Sequence, residues 1–253
     1  MKNILVKIQR KDIFLTDKYL CSTPFHPGYW VQKRLTSAIS RTAPLAKGIL
    51  LDVGCGLKPY EAHFLPFVGR YYGCEYLPES GYRGNRADFC ADALSLPFSD
   101  DSVDTILCTE VLEHLNDPER AIAEFCRVLK PGGTLIATAP FAFPVHDELD
   151  FFRYTPKGLA AIMKRQGLRV ESVEPLSGTG LSIAILFNSY LFSDLMFWNK
   201  ALYPVGVLIR PAAWLLTAVF NVLGRIAEVV LPSRGLPFGN LTVASKPKPA
   251  QNV

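Results

Sequence analysis

The sequence predicts an α/β fold, a doubly wound sheet built mainly of parallel strands. Three observations carry this. Short apolar, β-branched runs alternate with segments of helical periodicity; the first run ends in a glycine turn, Asp52-Val53-Gly54-Cys55-Gly56; and the clearest helix is fenced by Pro118 and by Pro131-Gly132-Gly133. Strand–helix alternation of this kind implies parallel strands with helices on both faces. In such sheets ligands sit at the carboxyl ends of the strands, where this glycine turn lies.

In chain order, residues 1–47 read as one or two leading helices. The first strand is the run from Gly48 into Gly56. Further strands are expected at 70–76, 103–108 and 134–138, with a short one near 87–89. Between the last two long strands, Pro118–Leu129 places Ile122, Phe125, Cys126 and Leu129 on one face, with Asp117 as its N-cap. A helix at 156–166, a strand at 168–173 and a last strand at 240–245 complete the core. Residues 176–233 differ in kind, with five charges (Asp194, Lys200, Arg210, Arg225, Glu228), and read as an apolar helical insertion. The expected organisation is therefore a helical segment at 1–47, a core at 48–175, the insertion at 176–233, and a last strand and tail at 234–253.

Composition narrows the function classes. The chain has 253 residues, 49% hydrophobic and 20% charged, enough for one large domain with an insertion. A net charge of +4 without a dense Lys/Arg face argues against nucleic acid as a partner. The six cysteines, at 21, 55, 74, 90, 108 and 126, include no C-x-x-C pair, which fits reduced thiols in a cytoplasmic protein. The opening MKNILVKIQRKDIF holds no sustained apolar run, so no secretory signal is expected.

The glycine turn carries the chemistry. Gly54 and Gly56 permit a sharp bend and a close approach of ligand to backbone. Glu75 stands about 19 residues after Gly56, at the end of the second strand, where a carboxylate can take two ribose hydroxyls. Asp92-Ala93, after the third strand, suits an adenine edge. A dinucleotide fingerprint would want a third glycine where Pro59 stands, so that a pyrophosphate can be held; Pro59 argues against a dinucleotide oxidoreductase.

The runs LLDVGCG, CEY and ADALSLPFSDDSVDTILCTEVLEHLNDPERAIAEFCRVLKPGGTLIATAP resemble the class I S-adenosylmethionine (AdoMet)-dependent methyltransferases, notably their small-molecule, type 11-like branch. The resemblance covers about residues 48–175. It implies a Rossmann-like sheet of seven strands with an antiparallel last strand, AdoMet as cofactor, and methyl transfer to a small-molecule, glycan or lipid-linked acceptor, with O-methylation favoured. Residue by residue, it implies that Asp52, Gly54, Cys55 and Gly56 hold the methionine part. Glu75 would take the ribose, Asp92 and Ala93 the adenine, and Thr109 the flank of the methyl-donor pocket. Lys58-Pro59-Tyr60 departs from the family, many of whose members have another glycine there. The rival class is a non-catalytic, AdoMet- or nucleotide-binding membrane-associated protein.

Two clusters offer acceptor chemistry. Glu110, Glu113 and His114 are expected on one helix face. The spacing Glu-x-x-Glu-His is similar to a motif of small-RNA 2′-O-methyltransferases, where it holds a divalent metal, and of quinone-pathway O-methyltransferases. By position His146 would be a fourth ligand. A shared motif is not a shared metal, and a cap-and-packing role without metal is preferred. The second cluster lies after the fifth strand: His146 as general base, with Asp147, Asp150, Arg153 and Tyr154 toward the acceptor, and His114 and Glu113 assisting.

In the insertion, Thr217, Asn221, Arg225 and Glu228 form a narrow polar stripe on an apolar helix, and Ser182, Ser189, Ser193 and Lys200 mark a stripe on the helix before it. Three fates suit such helices: burial in a homodimer or subdomain, a membrane surface met through residues 181–231, and a spanning hairpin, the last disfavoured by length. The expected location is cytoplasmic, peripheral on the inner membrane face if the second holds.

Overall fold

The structure, a computed structural model, describes residues 23–76, 86–195 and 203–249, with the backbone alone for 193–195 and 203–210. Expectations for residues 1–22 and for Lys200 lie outside these, as do the side chains of Ser193, Asp194 and Arg210. The described elements are α1 (Tyr29–Thr42), β1 (Ile49–Val53), α2 (Glu61–Phe64), β2 (Arg70–Glu75), β3 (Phe89–Cys90), β4 (Val103–Thr109), α3 (Pro118–Val128), β5 (Leu129–Pro140), α4 (Pro156–Arg165), β6 (Arg169–Pro175), α5 (Thr179–Ser189), α6 (Tyr203–Val230) and β7 (Gly239–Ser245). They gather into two compact units. One holds Thr36–Phe141, Leu149–Glu174 and the chain from Gly239; the other holds the described residues up to Leu35, Ala142–Glu148 and Pro175–Phe238.

The first unit is the expected α/β core. Its seven strands run in the order β3-β2-β1-β4-β5-β7-β6. Strands β3, β2, β1, β4 and β5 pair in parallel, and β7 is antiparallel to β5. The central strands are apolar because both their faces are covered. On one, Leu51, Val53, Ile106, Cys108, Leu135 and Ala137 share a core with Ile122 and Phe125 of α3 and Leu159 and Met163 of α4, and on the other Leu50, Leu107 and Ile136 are fully buried as well. Each helix begins as its sequence dictates. The Asp117 carboxylate accepts from Arg120 N–H at 3.1 Å, and the Thr155 hydroxyl accepts from Gly158 N–H at 3.0 Å, each ahead of a proline in the first turn.

Arg127, in the last turn of α3, pins the loop that leads into β4. Its guanidinium donates to the Leu96 and Phe98 carbonyls and to Glu124 and Asp100, while Glu124 accepts from Leu96 N–H at 3.0 Å. This clamps the loop that descends from Asp92 and Ala93.

Several expectations need correction. Glu110, Glu113 and His114 do not share a helix face: Glu110 has φ of 53°, and only Leu112–His114 coil, as a single 3₁₀ turn. Five residues are too few for a helical spacing to be told from a turn. β5 is longer than expected because it takes in the whole Leu129–Pro140 stretch, with a register shift between Val103 and Thr105 accommodating Pro131-Gly132-Gly133. Among the described residues, the leading segment supplies one α-helix, α1, continued by a 3₁₀ turn.

In the second unit, α5 continues through a π-helical stretch (Tyr190–Leu195), and α5 and α6 pack along their lengths. Phe187 stacks on Phe220 with ring centroids 3.9 Å apart. The polar stripe of α6 faces inward: Thr217 and Asn221 are buried, whereas Arg225 falls outside the stripe, its side chain 46% exposed. Asn221 receives the Asn188 amide at 3.0 Å, donates to the Pro24 and His26 carbonyls, and its own carbonyl takes the Trp30 indole N–H at 3.0 Å. Glu228 accepts from Gly178 N–H at 2.7 Å and pairs with Arg34. Ser182 and Ser189 are buried on α5 as well.

Candidate active site

The bend after β1 is built from the register of β1 on β2. Asp52 faces Gly73 and Val53 faces Cys74, so the chain leaves β1 directly beside the end of β2. There the Cys74 carbonyl accepts from both Gly54 N–H (2.9 Å) and Cys55 N–H (3.1 Å), and Gly56 N–H donates to the Glu75 carboxylate at 2.8 Å. Gly54 and Gly56 have φ of 73° and 50°, the left-handed region that favours glycine. A Cβ at Gly54 would lie 2.3 Å from Val111 Cγ2, whereas a Cβ at Gly56 would meet nothing within 4 Å. Gly54 thus serves packing, and Gly56 leaves open space in front of the glycine backbone. That opening, with a carboxylate beside it, fits the methionine and ribose parts of AdoMet.

Asp52 lies under the bend. Burial pushes its carboxyl up to about 7, the Tyr71 hydroxyl bonded to its Oδ2 at 2.5 Å pulls the other way, and the Glu75 charge adds to the rise. Its Oδ1 is buried without a hydrogen-bond partner. Cys55 is buried, and burial likewise pushes its thiol up to about 12, so it is not a nucleophile at neutral pH.

The loop continues where the sequence departs from the family. Lys58 takes φ of 52°, the conformation a glycine would have supplied. Its ammonium is buried, 2.6 Å from Asp88 and 5.7 Å from the centre of the Tyr71 ring, and Asp88 in turn accepts from Gly73 N–H at 2.7 Å. An ion pair across thirty residues thus holds a left-handed turn that a glycine would adopt without cost. The residues expected at the adenine are ordered too: Asp92 Oδ1 accepts from Leu94 N–H at 2.8 Å, and Ala93 is buried.

At the end of β4, Thr109 lies opposite Thr138 of β5. The 110–114 turn and the 149–154 segment are sewn together: His114 Nδ1 lies 2.7 Å from the Leu149 carbonyl, Phe151 N–H donates to the Glu113 carbonyl at 2.8 Å, and the Tyr154 hydroxyl donates to the Leu112 carbonyl at 2.9 Å. Asp150 holds Arg153 through both guanidinium nitrogens. Glu113 is fully buried and neither carboxyl oxygen has a hydrogen-bond partner; burial first, then the charges of Glu110 and Asp150, push its carboxyl well above the usual carboxylate range, with Arg153 opposing. Burial also raises the Glu110 carboxyl. The expected residues Glu113, His114, Asp150, Arg153 and Tyr154 are therefore brought together, although Tyr154 is buried and its hydroxyl is committed to the fold. His146 belongs to the helical unit, where its Nδ1 is 3.3 Å from the Pro144 carbonyl and its ring stands edge-on to Phe143.

Sequence reasoning missed Tyr60. Its phenol is raised by burial and by the charges of Glu110 and Asp52, which places it electrostatically between the glycine bend and the end of β4. It sits in the segment where the family pattern lapses, so no motif marked it.

The two glycines should respond differently to an added methyl group. Gly54→Ala adds a clash to a left-handed backbone and is expected to lower unfolding free energy by on the order of 3 kcal/mol, against about 1 kcal/mol for Gly56→Ala, in urea titrations. Equal losses would contradict the different surroundings of the two positions. Asp52 has a raised folded pKa, so the stability it allows is complete below its ordinary value of 3.8 and is lost as pH rises through about 7. From pH 4 to 7, Asp52→Asn should therefore gain on the wild type by up to roughly 4 kcal/mol. A difference independent of pH would contradict a strained buried carboxyl.

Residues 51–137 match the family described as "Methyltransferase domain". The chain is 28% identical over 187 residues to the 27-O-demethylrifamycin SV methyltransferase of Amycolatopsis mediterranei, covering 60% of this chain and 69% of that one. It is 34% identical over 123 residues to the demethylmenaquinone methyltransferase of Renibacterium salmoninarum, covering 46% of this chain and 52%, about half, of that enzyme's length. Among solved structures, the [4+2]-cyclase SpnF superposes with a TM-score of 0.57 at 22% identity, covering 85% of this chain and 82% of that one. The Haemonchus contortus phosphoethanolamine N-methyltransferase 2 in complex with S-adenosyl-L-methionine superposes with 0.53 at 16% identity, covering 92% and 59%. At such identities the structures speak for the fold. The family match over residues 51–137, which contain the glycine bend, makes this stretch similar to the methyltransferase domains of S-adenosylmethionine-dependent enzymes.

Proposed function

We propose that the chain methylates an oxygen of a small acceptor, a free small molecule or the polar part of a glycan or lipid-linked compound. The observation that carries the reading is the Gly54–Gly56 bend with Glu75 bonded across it at 2.8 Å. In this assignment Asp52, Gly54, Cys55 and Gly56 border the methionine part of AdoMet. Glu75 exchanges its bond to Gly56 for the ribose hydroxyls, Asp92 and Ala93 border the adenine, and Thr109 flanks the donor carbon. Bound AdoMet supplies an electrophilic methyl group on a sulfonium, already a good leaving group.

What the chain must add is alignment and a place for the proton. A hydroxyl that attacks the methyl carbon sheds its proton as the carbon–sulfur bond breaks and the electron pair stays on sulfur. We assign the proton to the imidazole of His146. Arg153, fixed by Asp150, is assigned to the acceptor's polar groups. Tyr154 acts from beneath by holding the 112–114 turn, and Glu113 and His114 are positioning residues: one is fully buried, and the other is bonded at the Leu149 carbonyl. Rifamycin and menaquinone precursors are acceptors of the relatives; an oxygen acceptor here is supported by the imidazole and by the first of those relatives.

Turnover tests this. With acceptor found by transfer of labelled methyl groups in cell extract, His146→Ala should lower kcat by about a hundredfold with unchanged AdoMet affinity. An unchanged kcat would remove the imidazole from the reaction, and methyl groups recovered on nitrogen or carbon would remove the oxygen acceptor.

A further inference from the structure

Helix α6 is built inside out for a helix of a water-soluble protein. Its inward stripe, at positions 213, 217, 221, 224 and 228, holds Thr217, Asn221 and Glu228. Its outward face, at 215, 219, 222, 226 and 229, steps by four, three, four and three residues and is wholly aliphatic. Leu215, Leu216, Val219, Val222, Leu223, Ile226, Val229, Val230 and Leu231 are between 39% and 72% exposed. Only 22% of the apolar stretch Pro211–Val230 is buried, whereas the core helix of a soluble protein of this hydropathy is mostly buried.

We infer that this face of α6 lies on an anionic lipid surface, with its aliphatic side chains in the acyl boundary and the helix axis in the plane of the membrane. Three observations select that occupant. First, a spanning helix meets lipid on all sides, but α6 offers only one: its other side is tied to α5 and to the start of α1 through Asn188, Pro24, His26, Trp30 and Arg34. Second, protein interfaces centre on aromatic and arginine anchors within a hydrogen-bonding rim. Nine aliphatic side chains with no aromatic ring and no hydrogen-bonding group form a surface suited to hydrocarbon. Third, the charge at its border is net positive. Arg225 flanks the face one helical step from it, and exposed Arg234 lies four residues past the helix end. The one carboxylate between Pro211 and Arg234, Glu228, is shared by Arg225 at 2.8 Å, Arg34 and Gly178 N–H, so two guanidiniums meet one acid and Arg234 adds a further positive charge. Such cations complement acidic headgroups.

The test is co-sedimentation of the full chain with phosphatidylcholine vesicles, with and without phosphatidylglycerol. The wild type should pellet with the acidic vesicles, less at high salt, and the double variant Val219→Glu/Ile226→Glu should bind at least roughly tenfold more weakly while keeping its circular dichroism and AdoMet affinity. If the double variant loses its fold, Val222→Gln takes its place with the same expected direction. A wild type that stays in the supernatant, or variants that pellet as well as the wild type, would overturn the inference. So would a wild type that dimerises without lipid through the same residues and ignores vesicles, since the face would then belong to a second copy. AdoMet affinity, read separately, keeps this outcome independent of the methyl-transfer reading.

Discussion

The hydrogen bond from Gly56 N–H to Glu75, with the two hydrogen bonds that the Cys74 carbonyl accepts from Gly54 and Cys55 N–H beside it, ties the site together. It exists because β1 and β2 run parallel in one register, so a turn leaving one strand passes directly over the end of the other. The turn needs left-handed backbone; the carboxylate needs a donor; each supplies the other. Such an arrangement leaves one acid and the open space in front of Gly56 facing the carboxyl edge of the sheet, where folds of this kind bind their ligands.

Much of this was legible in the sequence because the signals were backbone signals. Gly54, Gly56, Pro118 and Pro131-Gly132-Gly133 restrict where the chain can turn, and the buried strands declare themselves by length and apolarity. What escaped was held by partners far apart in the chain. Lys58 takes a glycine's conformation on the strength of Asp88, thirty residues away, and nothing local announces it. Glu110 likewise sits at positive φ with its N–H shared by the carbonyl and hydroxyl of Thr138, which turned an expected helix face into a 3₁₀ turn. Tyr60 entered the site only through charges on two other elements.

Helix α6 shows a different limit. A polar stripe on an apolar helix reads equally well from either side, and the usual assumption that the stripe faces water fails here. Asn221 finds four backbone and side-chain acceptors or donors inside the unit, and Glu228 finds an amide and two guanidiniums. Once those polar groups are satisfied internally, burying them is cheap and the hydrocarbon side is left outside. The same logic runs through the core, where Tyr154 and Asn240 are buried because each is bonded: Tyr154 to the Leu112 carbonyl, Asn240 to that of Tyr154.

Whether the bend beside Glu75 receives AdoMet is decided by calorimetric titration of the full chain with S-adenosylhomocysteine, wild type against Glu75→Ala. Saturable binding to the wild type is expected, with a loss of affinity of at least about tenfold in the variant, the cost of leaving two ribose hydroxyls unpaired. Equal affinity in the two proteins, or no binding to either at millimolar ligand, would refute this role for the bend.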